Sequence, residues 1–452
     1  MRGENQKKEM KDIINIGIIG FGTVGTGVVK ILNENAGIIE RRLGSPLKIK
    51  GIADIDAERF RGVKIEEGIL TADPDSLIED PSISIIIELI GGIEPARALM
   101  IKAMERGKNV VTANKALLAL HGEELYKVAE SNGVEIGFEG AVGGGIPIIR
   151  ALKEGLVANK IESIYGIING TSNYILTKMT DEGKGFSEAL QEAQAKGYAE
   201  ADPTLDIEGI DSAHKLVILA SLAFGTPVNF NDIYTEGISR ITPLDISFAR
   251  EFGYKIKLLA IAKMVNGEIE LRVNPTMIPE EYLISKVDGV FNAIYVVGDA
   301  LGSAMFYGRG AGQMPTASAI LSDIIEISRN IIKGSKGRVP AFAFQSGSRK
   351  RIKVREMEEV ISRYYLRFSA LDRPGILSKI SGVLGAHNMS ISSMIQKGRK
   401  EGEAVPVVMM THEAKEKDVR NALAEIDLLP VVDTKTVFIR VEGESRYGNR
   451  GG

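Results

Sequence analysis

The 452-residue chain contains no cysteine and no tryptophan. Without a thiol it cannot form a disulfide, a cysteine-ligated zinc site or an iron–sulfur cluster. A thiolate nucleophile is excluded for the same reason. Whatever chemistry the protein performs must therefore be carried by oxygen, nitrogen and backbone groups.

An excess of charge of one sign and a long hydrophobic run are also missing. Lys and Arg number 56 and Asp and Glu number 59, so the net charge is −3 and no overall basic field attracts nucleic acid. The longest strongly apolar run, 216–224, holds nine residues, whereas a membrane helix needs about 20. Residues 1–12 are charged and lack the apolar segment of a signal peptide. We expect a cytoplasmic protein that binds neither membranes nor nucleic acid.

The length predicts about three domains. In residues 1–140, apolar strand-like segments alternate with helical ones, which is typical of a Rossmann-type, doubly wound parallel sheet of the α/β class. The predicted strands are 13–20, 47–54, 83–89 and 109–112, and the predicted helices are 24–33 and 94–106.

Residues 141–335 favour a mixed α+β domain, with strands near 161–168 and 268–273 and helices near 187–196 and 209–224. Residues 336–360 have the composition of a linker. Its basic run, 349–355, is consistent with a nucleic-acid patch or a solvated linker, and the lack of interleaved aromatic residues favours the linker. Residues 361–442 show the βαββαβ order of a ferredoxin-like domain.

The first predicted strand ends in the sequence GFGTVG at 20–25, which matches the dinucleotide-binding pattern G-x-G-x-x-G. Gly20 permits a tight turn, Gly22 admits a pyrophosphate, and Gly25 allows the following helix to pack on the strand. A helix N-terminus at this place presents free N–H groups to phosphate. The strand, turn and helix context makes the pattern specific for a dinucleotide cofactor.

Asp54, at the end of the second predicted strand, is placed to bond the ribose hydroxyls of NAD and to repel the 2′-phosphate of NADP. It lies farther from the glycine motif than is usual, and the connection 34–46 accounts for the extra length. The nearby Arg59 and Arg61 keep NADP open as an alternative.

Polar residues gather in three later segments, 112–116, 139–147 and 197–215. Lys115 follows a strand and should lie at the carboxyl edge of the sheet, where ligands bind. Asp211 and Lys215 share one helix face, either as a surface ion pair worth about 0.5 kcal/mol or less, or as a desolvated lysine that exchanges a proton with an alcohol. The spacing alone leaves both open, and His214 between them is interpreted as a packing or surface residue. The segment 169–173 (NGTSN) is expected to cap a helix, to offer backbone N–H groups to a carboxylate, or to do both.

Taken together, these motifs resemble the homoserine dehydrogenase family. The matching sequences are FGTVG at 21–25, IGG at 90–92, TANKA at 112–116, EGAVGGGIP at 139–147, NGTSNYIL at 169–176, GYAEADP at 197–203, the spaced residues of 206–215, and RGAGQMPTASAI at 309–320. The resemblance covers about 300 residues and implies that 141–335 is the substrate and dimerisation domain. It implies the reversible, NAD- or NADP-dependent interconversion of L-aspartate 4-semialdehyde and L-homoserine in threonine, methionine and isoleucine biosynthesis. The start of the first strand at residue 13 leads us to expect a monofunctional enzyme without an amino-terminal kinase.

The resemblance also implies roles for individual residues. Lys215 is the expected acid/base, and Lys115 and Asp211 complete the catalytic set. Glu200 and Asp206, with Asp211 and Lys115, are expected to hold the substrate. The expected cofactor contacts are Gly20, Phe21, Gly22, Thr23, Val24, Gly25, Asp54, Thr112, Lys115 and Gly312. Glu139 with the backbone carbonyls of Val142, Gly144 and Ile146 is expected to bind a monovalent cation, usually sodium.

The carboxyl-terminal unit resembles an ACT domain, on the sequence LDRPGIL at 371–377 and the βαββαβ order. Such domains bind small amino acids at interfaces between paired copies, so the resemblance implies L-threonine as effector and a homodimer or homotetramer. The expected effector contacts are Asp372, Gly375, Ile376, Leu377 and Asn388. The alternative is that this domain only dimerises.

Two competing functions remain to be weighed. A nonenzymatic sensor with a decayed site is disfavoured because Lys115, Glu200, Asp211 and Lys215 are all present. A dehydrogenase that converts an aldehyde to an acyl product usually needs a cysteine, and the chain has none.

Overall fold

The computed structural model describes residues 13–56, 62–371, 373–397 and 404–443, and its first region is built on a parallel sheet. The strands are β1 (Ile14–Ile19), β2 (Leu47–Ala53), β3 (Leu70–Thr71), β4 (Ile83–Glu88), β5 (Asn109–Thr112) and β6 (Ile136–Gly137), and the helices are α1 (Thr23–Leu43), α2 (Pro74–Glu79), α3 (Ala96–Glu105) and α4 (Lys115–Ser131). The strand order β3-β2-β1-β4-β5-β6 reverses direction at β1, which creates the ligand crevice of a doubly wound sheet. The predicted Rossmann-type fold is confirmed.

Helix α1 is longer than the sequence pattern predicts. It continues to Leu43 and ends at Gly44, whose φ of 89° is left-handed. The sequence analysis treated residues 34–46 as a connection between the helix and the second strand. Most of these residues belong instead to α1.

A mixed sheet forms the second region. Its strands are β7 (Ile161–Ile167), β8 (Tyr234–Thr235), β9 (Tyr254–Val265), β10 (Glu268–Pro279), β11 (Phe291–Gly298) and β12 (Gly302–Arg309), and the helices are α5 (Ile148–Arg150), which continues as a π-helical turn Ala151–Gly155, α6 (Gly170–Glu182), α7 (Phe186–Ala195), α8 (Thr204–Ile207), α9 (Ile210–Phe224), α10 (Pro243–Glu251) and α11 (Gln313–Ile332). Helix α11 packs back on the first region, because its Ala317, Ile320 and Ile324 share a core with Ile16 and Val28.

The third region has the predicted ferredoxin-like plan. Its elements are β13 (Ile361–Leu371), α12 (Ile376–Ala386), β14 (Ile391–Gln396), β15 (Ala404–Thr411), β16 (Ala414–Lys415), α13 (Glu416–Ile426) and β17 (Val432–Val441). The strand order is β17-β13-β15-β14. Alternation along β13 sends Tyr364, Leu366 and Phe368 into a core with α12 and α13, while Tyr365 joins the main core of the second region.

The second and third regions share one continuous sheet. Strand β17 pairs in parallel with β10, through Thr276 with Arg440 and Met277 with Val441. The connecting segment 336–360 also touches β10, since Ile269 N donates to Lys353 O at 2.9 Å. The third region is thus joined to the second by backbone pairing as well as by its connecting segment. In the described part of the chain, no helix combines the length and apolarity that crossing a membrane requires.

Candidate active site

The glycine-rich turn after β1 has one glycine that the protein's own packing does not require. A Cβ on Gly20, where φ is 103°, would lie 2.6 Å from Leu89 C, and one on Gly25 would lie 2.3 Å from Gly20 O. A Cβ on Gly22 would meet no atom within 4 Å, and Gly22 starts α1 without a side-chain cap. The turn therefore leaves space and N–H groups at a helix N-terminus, which fits a pyrophosphate.

Asp54 lies directly beside this turn. Its Oδ2 accepts a hydrogen bond from Phe21 N at 2.6 Å, and its Oδ1 accepts one from Asp56 N at 2.8 Å. The carboxylate is thus fixed where the sequence places the ribose partner. Arg59 and Arg61 lie outside the described residues, so the coenzyme preference stays a prediction.

A buried carboxylate that the sequence analysis missed organises the neighbouring strand ends. Glu88 is fully buried at the end of β4, where Oε2 accepts from Thr112 Oγ1 at 2.7 Å and Oε1 accepts from Ile90 N at 2.9 Å. An acidic residue that ends an otherwise apolar strand is the signal that could have revealed it.

Gly312 lies at the start of α11, with a φ of 120°. The next residue, Gln313, donates from Nε2 to Thr23 O at 3.0 Å. The starts of α1 and α11 therefore lie together, and the expected cofactor contacts from distant parts of the sequence meet at one crevice.

Asp211 is the centre of a buried charge cluster. Its Oδ2 accepts from Lys215 Nζ at 2.6 Å and from Asn169 Nδ2 at 2.8 Å, while Lys115 Nζ lies 2.9 Å from Oδ1. Lys215 Nζ also donates to Ile168 O at 2.7 Å. Because Lys115 begins α4 of the first region and the other residues belong to the second, the cluster spans the boundary between coenzyme crevice and mixed sheet.

The two lysines of the cluster differ in their electrostatics. Burial lowers the pKa of Lys215 despite its contact with Asp211. Burial also acts to lower the pKa of Lys115, but Asp211, Asp206 and Glu200 outweigh it and raise that pKa. For Asp211, burial acts to raise the pKa, yet the two ammonium groups hold it well below its usual range. Of the two spacing-based alternatives, the structure shows a desolvated pair, since Asp211 and Lys215 are 6% and 8% exposed.

The other expected substrate residues surround this cluster. Asp206 Oδ1 accepts from Asn169 Nδ2 at 2.7 Å. Glu200 is exposed, and its carboxylate makes no hydrogen bond or ion pair with any described residue. Asn169 caps α6 by accepting from Ser172 N at 2.8 Å, so the capping interpretation holds, and its amide also links two acids, which the sequence analysis did not foresee. His214 packs against Phe230, with ring centroids 4.7 Å apart.

Glu139, the expected cation ligand, is buried and lies just before the glycine-rich turn 142–145 in the chain. Its two carboxylate oxygens accept from Ile149 N and Arg150 N, each at 2.8 Å, and burial raises its pKa to about 7. Among the described residues, no group of three or more His, Asp or Glu side chains is placed to hold a metal. A monovalent cation here would depend on backbone carbonyls, such as those of Val142, Gly144 and Ile146.

The expected effector residues lie at the two ends of α12. Gly375 (φ 87°) precedes the helix, Ile376 and Leu377 begin it, and Asn388 (φ 58°) follows it; Asp372 lies outside the described residues. At about 1.5 Å per residue, the two ends are roughly 16 Å apart. One small amino acid therefore cannot contact both ends within a single chain.

A nicotinamide-dependent oxidoreductase is the class that this combination of fold and site defines. Residues 20–139 match the family model described as homoserine dehydrogenase, NAD binding domain, residues 147–325 match homoserine dehydrogenase, and residues 364–427 match the ACT domain. The chain belongs to the homoserine dehydrogenase family, as the resemblance of its motifs implied.

Named relatives and solved structures agree with this assignment. A homoserine dehydrogenase of Neisseria gonorrhoeae is 46% identical, over 95% of this chain and 98% of the relative. The crystal structure of a homoserine dehydrogenase from Thiobacillus denitrificans is 48% identical with a TM-score of 0.90, covering 95% of this chain and 98% of the other. A hyperthermophilic archaeal homoserine dehydrogenase mutant in complex with NADPH is 30% identical with a TM-score of 0.60, covering 70% and 98% of the two chains.

Proposed function

We propose that the chain interconverts L-aspartate 4-semialdehyde and L-homoserine, with Lys215 as the group that donates and accepts the proton. The observation that carries this proposal is the contact of the buried Asp211 and Lys215 with the partly exposed Lys115 at the boundary of the coenzyme crevice. A lysine whose pKa is lowered by burial is suited to proton exchange with an alcohol.

The nicotinamide coenzyme supplies or removes the hydride at the carbonyl carbon. As the hydride adds, the Lys215 ammonium protonates the developing alkoxide oxygen; in the reverse direction the Lys215 amine accepts the hydroxyl proton. Asp211 and Ile168 O orient Lys215 Nζ through their hydrogen bonds. Bringing the proton donor and substrate together in fixed geometry lowers the entropic part of the barrier.

The substrate is an amino acid, so its ammonium and carboxylate groups need partners of opposite charge. Glu200 and Asp206 are the proposed partners of the ammonium, since Glu200 is exposed, lies near enough to the cluster to act on Lys115, and forms no direct ion pair with a described residue. Lys115 and the positive end of α6 are the proposed partners of the carboxylate.

The test compares aspartate 4-semialdehyde with succinic semialdehyde, which lacks the amino group, by following NAD(P)H absorbance. We expect turnover of the first substrate, a much lower kcat/KM for the second, and a smaller difference between them in Glu200→Gln. No turnover of aspartate 4-semialdehyde with either coenzyme would overturn the proposed function, whereas an unchanged discrimination in Glu200→Gln would overturn only the role of Glu200.

We also propose that the enzyme prefers NADH to NADPH. Asp54 places a carboxylate beside the glycine-rich turn, where it would repel a 2′-phosphate. Initial rates with the two coenzymes at equal concentration test this, with Asp54→Asn expected to reduce the preference. A higher kcat/KM with NADPH in the parent enzyme would contradict it.

A bound monovalent cation, sodium in the family pattern, is a further part of the proposal. The turn 142–145 contains Gly143 and Gly144 at positive φ and follows Glu139 closely in the chain, so its backbone carbonyls are the proposed oxygen ligands beside that carboxylate. Activity and thermal unfolding in sodium, potassium and choline chloride at equal ionic strength test it. Identical results in all three salts would remove the cation from the proposal.

The proposal also includes feedback regulation by L-threonine through the third region. The enzyme would act as a homodimer or homotetramer, in which a second subunit supplies another copy of α12. A chain of contacts supports it. Arg440 of β17 donates to Glu236 Oε2 at 2.8 Å, and Ile238 N, two residues on, donates to Ile207 O at 2.8 Å. Ile207 adjoins Asp206, a proposed substrate ligand.

Glu236→Gln tests this route, because it removes the ion pair with Arg440 without altering a proposed substrate or coenzyme contact. We expect uninhibited kcat and KM within twofold of the parent and a weaker response to threonine. Glu359→Gln is the matched control, since it removes an exposed pair with Lys415 at 3.0 Å that includes none of the expected effector residues. Equal inhibition of both variants and the parent would contradict the route, and a parent enzyme that threonine does not inhibit would remove the effector.

A further inference from the structure

A cavity of about 340 Å³ lies remote from the coenzyme crevice. Its walls are the second half of α4, strand β6, the helical turn Ala151–Gly155, the second half of α11 and part of the segment 336–349. Helices α4 and α11 begin at Lys115 and Gln313, beside the proposed active site, and reach the cavity roughly 20 Å farther along their axes. The cavity is therefore distinct from the coenzyme and substrate sites.

The cavity contains an ammonium group that forms no direct ion pair with a described residue, although the carboxylates of Asp323, Glu139, Glu154 and Glu135 act on it from a distance. Lys153 lines the cavity and lies with Nζ 5.3 Å from the centroid of the Phe138 ring. It makes no hydrogen bond and no ion pair with any described residue. A largely buried ammonium is costly unless it is paired, so this group is a ready partner for an anionic ligand group.

A carboxylate in the same cavity lacks a direct ion pair within the part of the chain that the structure describes. Glu135 accepts hydrogen bonds from Asn330 Nδ2 at 2.9 and 3.0 Å, and forms no ion pair with the described side chains. Lys153 acts electrostatically on Glu135, so the two groups are near each other, yet they are too far apart to pair directly.

Several other charged groups in the wall have partners already. Arg338 pairs with Glu326 and, at 3.3 Å, with Glu154, and Arg150 Nε lies 3.6 Å from Glu154. Lys336 is exposed, and Glu139 and Asp323 accept hydrogen bonds from backbone N–H groups. Lys153 and Glu135 are therefore the opposite charges of the inner wall that a ligand can pair with. The volume is at the lower end of the range for small-molecule pockets and is too small for a dinucleotide.

We propose that this cavity is a binding site for a free α-amino acid, with the ligand carboxylate on Lys153 and the ligand ammonium on Glu135. A zwitterion matches both unpaired groups at once, whereas a simple anion or cation matches only one. The site is independent of the amino-acid substrate at Lys215 and of the expected effector residues at α12.

Two features of the wall connect this site to the rest of the molecule. Arg338, Pro340 and Arg349 belong to the segment that leads into the third region. On the opposite wall, Glu139 N donates to Asp323 Oδ2 at 2.8 Å, and the turn that follows Glu139 runs to Gly310, beside the start of α11. A ligand in the cavity would therefore contact elements that lead both to the coenzyme crevice and to the third region.

The experiment measures binding of each of the twenty protein L-amino acids to the full-length enzyme by thermal unfolding, followed by calorimetry for those that stabilise it. Ligand that binds only the folded state raises the unfolding temperature. We expect at least one amino acid to bind, and Lys153→Gln and Glu135→Gln each to weaken it tenfold or more, which corresponds to about 1.4 kcal/mol. The matching amine without a carboxylate and the matching acid without an amine should bind more weakly to the parent.

Three controls keep the outcome specific. Lys127→Gln changes an exposed lysine of α4 and should bind like the parent. Lys153→Met, which keeps an apolar contact with Phe138, replaces Lys153→Gln if that variant does not fold. Leu377→Lys, at the start of α12, should leave this binding unchanged. Three outcomes would each overturn the proposal. The first is binding that survives both Lys153 variants, and the second is binding that is lost only in Leu377→Lys. The third is stabilisation by sodium chloride alone, with no amino acid bound.

Discussion

Two buried ion pairs in this molecule each join one basic and one acidic side chain, but the pKa of the basic group is lowered in one pair and raised in the other. In the active site, Lys215 Nζ donates to Asp211 at 2.6 Å; where the second and third regions join, Arg440 Nε donates to Glu416 at 2.9 Å. Burial lowers the pKa of Lys215. Burial acts in the same direction on Arg440, but hydrogen bonding and attraction to Glu416 outweigh it and raise the pKa of the guanidinium.

The surroundings of the two pairs explain this difference. Asp211 also binds Lys115, whose side chain is 41% exposed, so substrate can reach the cluster from the crevice. Arg440 is 1% exposed and lies 4.8 Å from the Tyr234 ring centroid and 5.2 Å from that of Phe438. A lysine at an accessible place can exchange a proton, whereas an enclosed arginine keeps its charge and joins two parts of a sheet.

Replacement of the active-site cation tests the comparison with the largest expected effect. Lys215→Arg preserves the charge but not a proton that can be exchanged, so both Lys215→Arg and Lys215→Ala should lower kcat by about 10²–10⁴. Coenzyme binding, followed by NAD(P)H fluorescence, should be retained. Lys160→Arg, at an exposed position, should behave as the parent. An active Lys215→Arg would show that charge alone suffices and would break the comparison.

Loss of the ion pair between Glu416 and Arg440, where the second and third regions meet, should lower the free energy of unfolding. Glu416→Gln leaves Glu236 as the one acidic partner of the buried Arg440 guanidinium among the described residues. We therefore expect a loss of about 3 kcal/mol in the free energy of unfolding. Denaturant unfolding of the intact enzyme measures it. Glu425→Gln, which removes an exposed pair with His387, should change stability by less than about 1 kcal/mol. Equal stability of the two variants would mean that the buried pair does not hold the joint.

The pH dependence of the rate should follow Lys215. Homoserine oxidation needs the amine form, so its kcat/KM should rise with pH along a limb whose midpoint lies below the ordinary lysine value of 10.5; aldehyde reduction should fall along the same limb. Asp211→Asn removes the carboxylate that stabilises the ammonium and should move the midpoint down by about 1–3 pH units. If the midpoint of the pH profile is the same in Asp211→Asn and the parent, the group that titrates is not the Lys215 ammonium paired with Asp211.

How far the sequence could predict these features depends on whether the residues concerned are neighbours in the chain. The coenzyme turn and the Asp211–Lys215 pair rest on local spacing, and the structure places them as the patterns indicate. The link from Asn169 to Asp206, the strand ends held by Glu88, and the pairing of β10 with β17 all join distant segments. No local periodicity encodes such contacts, because they arise only when the regions pack together.

The smallest expected effect lies in the pH dependence of stability, where the two pairs should act in opposite windows. The pKa of Glu416 is lowered below 4.5 in the folded protein, since Arg440 outweighs its burial; its stabilisation is therefore present above pH 4.5 and lost as the pH falls through the lowered value. The gap in unfolding free energy between parent and Glu416→Gln should narrow by about 1.4 kcal/mol for each unit of that shift.

Lys215, with its lowered pKa, makes folding less favourable below that pKa and more favourable as the pH rises toward 10.5. Lys215→Met should thus differ from the parent most at neutral pH and least above 10.5, and a gap that widened with pH would contradict the burial of the charged lysine.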